Sequence, residues 1–527
     1  MTESVSKIDS KKDKIKSWLN NKYNLTFLGL LIFIIIFRLY YFVITKNQPL
    51  WWDEAEYLST AKSLAGINHF DFKWTLNRFP GFPLLVSLFY MIGISNEVVL
   101  RFLVAFIPSI LALVLMYFVI ISMYSDKKIA LISLAIFSLL WEHVFYSNRF
   151  HTENWSLIFE FLAIIVLFKV YLKKEDWGFI KHKHSLFWIS LLIFFCVFFR
   201  SGNLFLIPII ILFLIITNFY KIPEKLRKAS AIGLIILAIA GYISLDFLSR
   251  RSTFVSQFYQ YMVPIDWTVT SIFYGFYQSF IPYLPSILFY AFLIGIIIVI
   301  GRIVIFPEGF KKVNLNLQDN SYKADIFNLI LIGGCLFFFI FILRSRGFEY
   351  RWFFAILPAI FALTAKGLIK FGDFIQSLLK IKNLSLIIII LLVFLGVYTQ
   401  FNHTDMIVKY KLDSYSQVRD SGLWLRENSN ANDLIISAST TQHTYYSERN
   451  ISPFYLDDSN ENESAFDISI AKLKPRFIII SGFEPAFTPS WAYGWPEKHS
   501  DRVKPVSVYY DSQNTQQPIL VIYEINS

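Results

Sequence analysis

Cysteine is nearly missing from this chain: Cys196 and Cys335 are the only two in 527 residues. Both sit inside apolar runs, so neither a disulfide framework nor a cysteine metal site organises the fold, and each reads as a small buried hydrophobe. No small-residue cleavage site follows the first apolar run, which is also too long for a signal's h-region and therefore reads as an anchor. An internal repeat, common in transporters, is missing as well. No Asp-x-Asp pair stands in the loops on the acid-bearing side described below, so nothing in the sequence demands a divalent ion.

What is present is apolar. The chain is 55% hydrophobic and 18% aromatic, with a mean hydropathy of +0.50, more than a soluble domain carries. About eleven windows have the length needed to cross a bilayer. They lie near 24–45, 97–122, 127–146, 152–171, 186–200, 203–218, 230–248, 284–304, 325–343, 350–369 and 384–400. The expectation is an α-helical polytopic membrane protein: a basic tail over 1–23, then a transmembrane domain over 24–400. Beyond Tyr398 the apolar runs shorten. "DLIISAS", "RFIIIS", "VSVYYD" and "ILVIYEI" read as strands, with helices over 413–428 and near 463–473, which predicts a small α/β domain over 401–527.

The formal charge of +11 is unevenly spread, because the region after 400 holds more acids than bases. Its place in the membrane part argues for topology rather than nucleic acid. Lys and Arg gather in the N-terminal tail and in alternate loops: "SDKK" (125–128), "KKEDWGFIKHKH" (173–184), "KIPEKLRK" (221–228), "GFKKVNLNLQDNSYK" (309–323) and the segment holding Lys366 to Lys382. By the positive-inside rule the N-terminus is cytoplasmic, and an odd number of spans puts the C-terminal domain outside. The same register places the loop after the first span and the corners at 148–154, 200–203 and 344–351 together on the outer face.

That first loop reads "PLWWDEAEYLSTAKSLAG" over 49–66. Trp51 and Trp52 suit the membrane interface. Tyr57, Ala61, Leu64 and Ala65 recur at helical spacing up to Gly66, predicting a juxtamembrane helix near 54–66 that lies on the bilayer. Asp53 then stands at the positive helix end, which favours an ionised carboxylate suited to a base; either Asp53 or Glu54 equally serves as a plain cap. Pro80, Gly81 and Pro83 are expected to break any helix and to hold Arg78 near the next membrane entry. Arg149, Glu153 and Arg200 fall at corners, and Arg346 and Arg351 flank a later span. Guanidinium forks match phosphate oxygens, although arginines here also snorkel to head groups. Glu160, two turns beyond Glu153, is a costly deep carboxylate, either functional or protonated and bonded to a neighbouring helix.

One reaction fits these groups. A polyprenyl phosphate leaves as a stable anion, so arginines suffice to stabilise it, whereas an acceptor hydroxyl needs a base. Single displacement at the anomeric carbon inverts configuration.

The chain resembles the GT-C superfamily of membrane glycosyltransferases. The matching stretches are "WWDEAEY" (51–57), "RFPGFPLLVSLFYMIGISNEVVLRF" (78–102), "YSNRFHTENWSLIFEFLAI" (146–164), "FRSGNLFLIPIIIL" (199–212) and "EYRWFFAILPAIFALTAKGL" (349–368). The branch they resemble is that of the dolichyl-phosphate-mannose protein mannosyltransferases and lipid A aminoarabinose transferases. The resemblance implies that Asp53 is the catalytic acid of the first outer loop, with Glu54 beside it and Glu153 as a second acidic position. It implies that Arg78 contacts the carrier phosphate, that Arg351 stands for the family's Arg-Tyr element with the order reversed as Tyr350-Arg351, and that Arg200 stands where the family often has a basic residue. Arg149 and Arg346, on the outer corners, are the further phosphate binders expected from the residues themselves. The donor is then a polyprenyl-phosphate sugar, and the acceptor a protein, lipid or glycan. A divalent ion shared by Asp53 and Glu153 stays open. Oligosaccharyltransferases of the superfamily carry Trp-Trp-Asp-Tyr-Gly in their soluble domain; "SWAYGW" (490–495) lacks the Asp and one Trp and reads as coincidence. The aromatic loop at 483–499 either covers the active site or packs on its own sheet. The aromatic stretch at 249–281 suits the interface or an isoprenoid tail, and sequons stand at Asn402, Asn450 and Asn462. The competing reading is a transporter or flippase of lipid-linked sugars that makes no bond.

Overall fold

The computed structural model describes residues 16–67, 79–218, 284–304, 319–338, 350–454, 463–511 and 517–526. The region near 230–248, the aromatic stretch at 249–281, and Arg78, Arg346 and Asn462 lie outside the described residues.

Seven described helices are long and apolar enough to cross a membrane, or eight if one bent pair is a single span. The first, Lys22–Thr45, starts where the Asn21 side chain accepts the Tyr23 N–H at 3.0 Å. The next, Glu97–Tyr124, is capped by Asn96 and loosens into a π-turn at Phe102–Phe106, just before Pro108 withholds an N–H from the ladder. Glu153–Leu172, His182–Phe199, Ser201–Asn218, Arg351–Leu379 and Leu384–Tyr410 complete the set. Ser286–Val304 and Asn320–Leu336 match two further expected segments. The helices Ser286–Val304 and Leu357–Leu379 cross so closely that a Cβ on Gly295 or Gly367 would overlap the facing backbone, the reason small residues stand there.

Two expectations need correction. The segment 127–146 is not one rod: Lys127–Ser138 and Trp141–Ser147 meet at 62°. The break strands polar backbone groups in an apolar setting, where each must find a partner. Arg38, fully buried in the first span, supplies it, donating to the carbonyls of Ser138 and His143 at 2.9 Å each. The second concerns Pro80, Gly81 and Pro83, which begin a helix, Gly81–Met91, rather than break one. In a first turn the missing N–H groups would be unpaired anyway.

The helix Leu384–Tyr410 runs ten residues past the expected boundary at 400 before the C-terminal domain opens with Ser416–Asn428. The domain's sheet has five strands in the order β2-β1-β3-β5-β4: β1 (Leu434–Ser437), β2 (Asn450–Ser452), β3 (Phe477–Ser481), β4 (Val503–Tyr510) and β5 (Pro518–Ile525). β1 pairs in parallel with β2 and β3, while β5 is antiparallel to β3 and β4. β2 and the helix Thr440–Ser447 were not expected; "TTQHTYYS" carries no apolar period, and the helix holds through buried polar contacts. Of "SWAYGW", Ala492 and Trp495 sit in the domain's core beside Phe454 and Phe466, while Ser490 and Tyr493 are exposed.

His443 lies at the centre of that unexpected helix, fully buried between Ser437 Oγ on Nδ1 (2.7 Å) and Ser421 Oγ on Nε2 (2.9 Å). Burial lowers its pKa to about 3, whereas an unfolded histidine titrates near about 6.5. The unfolded chain therefore binds the extra proton, so this contribution leaves stability untouched above about pH 6.5 and erodes it as pH falls, by at most about 1.4 kcal/mol per unit. Calorimetry of the full chain in detergent should show His443→Gln flattening the melting-temperature decline between about pH 6.5 and 4. An unchanged slope would contradict the assignment.

Candidate active site

Four chain segments distant in sequence bring charged groups to one end of the bundle. The first is the juxtamembrane helix Trp52–Leu64, whose opening turn carries Asp53 and Glu54. It does not simply lie on the bilayer: Ala55, Leu58, Ser59 and Ala61 are buried, and it packs on Gly81–Met91 and on Thr440–Ser447 of the C-terminal domain. The two tryptophans at its start are likewise used within the protein. Trp51 lies under the Arg149 guanidinium, 3.6 Å from its ring centre, and Trp52 stacks on Phe487 at 5.1 Å. Phe487 belongs to the aromatic loop at 483–499, so that loop reaches the neighbourhood of Asp53.

Asp53 is partly open, and its Oδ2 accepts from Arg351 Nη2 at 2.7 Å. Arg351 comes from the 3-10 turn Tyr350–Ile356 that leads into a long span. Its Nη1 donates to His151 Nδ1 at 3.0 Å and lies 3.7 Å from Glu153 Oε1. Glu153, the first residue of its span, also pairs with Arg200, which terminates the helix Ser185–Phe199. The result is a string of alternating charge, Asp53–Arg351–Glu153–Arg200, with each carboxylate matched by a guanidinium. Because His151 Nδ1 accepts, Nε2 carries the ring proton. Burial, then the Arg351 charge, holds this imidazole below its ordinary range and keeps it neutral at pH 7.

Glu54 has a different role from its neighbour. It is fully buried. Its Oε2 accepts the Trp51 N–H at 2.9 Å and Arg149 Nη1 at 2.8 Å, and its Oε1 accepts the Phe150 N–H at 2.9 Å. Arg101, also fully buried, stands 3.7 Å away and donates to the carbonyls of Asn148 and Gln48. Burial pushes the Glu54 carboxyl up, but Arg149 and then Arg101 hold it net below the usual carboxylate range. A group enclosed in this way ties the juxtamembrane helix to the 148–150 corner. Neither Glu54 nor Arg149, both expected at the substrate, presents a free face to it.

Of the other residues singled out in the sequence, Glu160 is fully buried, and neither of its oxygens has a hydrogen-bond partner among the described residues. Of the two readings of Glu160, a bond to a neighbouring helix has no partner among the described residues. Among the described residues no three His, Cys, Asp or Glu groups stand close enough to hold a metal ion. Asp53 and Glu153, the two carboxylates considered for one, both reach Arg351. Sequence reasoning passed over Arg101 and His151. Arg101 had a signal, a charge interrupting an apolar run; His151 had only its place between Arg149 and Glu153.

No protein-family model matches the sequence, and neither does any curated protein sequence. Solved structures match in fold. The oligosaccharyltransferase of Archaeoglobus fulgidus in the apo form superposes with a TM-score of 0.61 at 12% identity, over 88% of this chain and 70% of that one. The same enzyme tethered to an acceptor peptide containing the NVT sequon gives 0.57 at 14% identity, over 95% and 74%. ArnT from Cupriavidus metallidurans bound to undecaprenyl phosphate gives 0.54 at 10% identity, over 94% and 98%. The fold of this chain is thus the GT-C fold of polytopic membrane enzymes.

Proposed function

We propose that this chain is an inverting glycosyltransferase that takes a sugar from a polyprenyl phosphate carrier and passes it to a protein, lipid or glycan acceptor outside the cytoplasm. The observation that carries the reading is the Asp53–Arg351–Glu153–Arg200 string, assembled from four distant segments at one end of a GT-C bundle. The undecaprenyl phosphate bound by ArnT and the acceptor peptide held by the archaeal oligosaccharyltransferase support the two substrate classes.

In this reading the acceptor hydroxyl gives its proton to Asp53 as its oxygen attacks the anomeric carbon. The bond from that carbon to the phosphate oxygen breaks with its electron pair, and the carrier leaves as a phosphate anion. Arg351 connects the two events. While it holds Asp53 it damps that carboxylate's basicity, and a phosphate arriving within reach competes for its fork. Drawing Arg351 toward the phosphate frees Asp53 as a base and stabilises the leaving charge in one movement. Glu153 and His151 hold the other side of the guanidinium and limit where it can go. Arg200 anchors Glu153, and Arg78 and Arg346 are the further phosphate contacts the reading calls for.

The purified full chain, given a polyprenyl-phosphate sugar and an extract of candidate acceptors, should release free polyprenyl phosphate and form a product of inverted anomeric configuration. Mass spectrometry of glycolipids and glycoproteins from a deletion strain would identify the acceptor by what is missing. Movement of carrier-linked sugar across the bilayer with the sugar–phosphate bond intact would overturn the reading in favour of a flippase.

A further inference from the structure

A cleft of about 710 Å³ opens beside the juxtamembrane helix, away from the Asp53 string, where the end of the first span meets the C-terminal domain. Its charged lining is Lys46, Lys62, Arg419 and Arg426 against Glu97 and Glu448. Both carboxylates are already engaged: Glu448 accepts from Lys62 at 3.0 Å, and Glu97 from the Tyr445 hydroxyl at 3.0 Å. Arg419 is bound to Asp420 at 2.9 Å. Lys46 and Arg426 have no ion pair among the described residues; a neutral hydroxyl does not cancel the Glu97 charge, so two cations stand against one carboxylate and the net charge left in the cleft is positive. Lys46 directly follows Thr45, the last residue of the first span, which puts it at head-group level. Ile67, Val98 and Leu423 add apolar lining beside these cations.

We infer that this cleft is a second anion site, distinct from the sugar-transfer centre, that takes a phosphate-bearing group, and that its source is the head group of an anionic phospholipid. A phosphate there meets Lys46 and Arg426, whose charge exceeds that of the one lining carboxylate left without a cation, Glu97, while the apolar lining receives the glycerol and upper acyl carbons. The wall it would press on is the segment that presents Asp53. Tyr446 lines the cleft and accepts the Leu50 N–H at 2.8 Å, and Gln48, also in the lining, is held from behind by Arg101 at 3.0 Å. The bound lipid therefore braces the joint between membrane domain and C-terminal domain.

The test uses the full chain, delipidated in neutral detergent and titrated with phosphatidylglycerol or phosphatidylcholine, with retained lipid counted by native mass spectrometry. A parallel thermal-shift titration uses soluble glycerol 3-phosphate. A basic residue at an anionic membrane surface contributes about fivefold in affinity, so the K46Q/R426Q double variant should retain phosphatidylglycerol at least about tenfold less well. Phosphatidylcholine should bind weakly to both proteins. The ligand-free melting temperature checks the variant's fold, and K46Q alone serves as a milder second variant. Equal retention of the two lipids by the native chain, or equal retention of phosphatidylglycerol by chain and variant, overturns the site. Binding of glycerol 3-phosphate without lipid retention keeps the phosphate chemistry but overturns the lipid source. None of these readouts depends on sugar transfer, so failure here is separable from failure of the transferase reading.

Discussion

Replacing Asp53 by asparagine should lower sugar transfer by about 10²- to 10⁴-fold, the range that a positioned general base contributes. The substitution changes very little else. Asparagine keeps the size of the side chain, leaves the Glu54 cap of the first turn in place, and still offers an oxygen to Arg351 Nη2. Only the charge and the ability to take a proton are lost. Expression in the membrane, melting temperature and binding of the carrier lipid should therefore stay near those of the native chain, while turnover collapses. Initial rates with saturating donor, measured beside a thermal melt, separate the two effects. Transfer at the native rate by a properly folded Asp53→Asn protein would remove Asp53 from the mechanism and the proposed reaction with it.

One residue further on, the outcome reverses. Glu54→Ala should unfold the protein or lower its melting temperature sharply, and its activity loss should simply follow the loss of folded protein. Removing one member of a buried ion pair costs about 3–5 kcal/mol, because the partner charge stays buried without compensation. Here two guanidinium groups, Arg149 and Arg101, lose the same carboxylate, along with two backbone N–H groups. That is a large share of the about 5–15 kcal/mol that holds a typical domain. Glu54→Gln should fall between: its one amide oxygen can accept from only one of the Trp51 and Phe150 N–H groups, and the guanidinium charges stay unmatched. The measurement is the yield of monodisperse protein after extraction and its melting temperature. A Glu54→Ala protein as stable as the native chain, with transfer abolished, would make Glu54 the catalytic acid and reassign the pair.

The contrast between these adjacent acids shows how far the sequence alone could be followed. Both stood out as an acidic pair just past a span, and both suited either catalysis or capping. Their separation depends on side-chain direction around a helix turn. At the second position of the turn Asp53 points outward, and at the third Glu54 turns back to the Trp51 N–H and into the protein. That direction acquires meaning only when the 148–151 corner and Arg101 close over it. Arg351 is a similar case: the sequence set it on the same face as Asp53 and Glu153, and its bridging of the two needed contact across some two to three hundred residues.

Hydrophobic run length decided what the sequence could decide by itself: a polytopic helical protein with a short α/β domain behind it, and acids and arginines gathered in the loops between particular spans. These are properties of local composition, set by what a bilayer accepts. Tertiary structure decided which charges meet. A broken span holds because groups from other helices meet its backbone, Arg38 taking two carbonyls and Gln400 accepting the Trp141 N–H. A carboxylate becomes a base or a brace according to the guanidinium groups that distant segments bring to it. Electrostatic partnership acts through space between groups far apart in the chain, and no window of sequence contains both members.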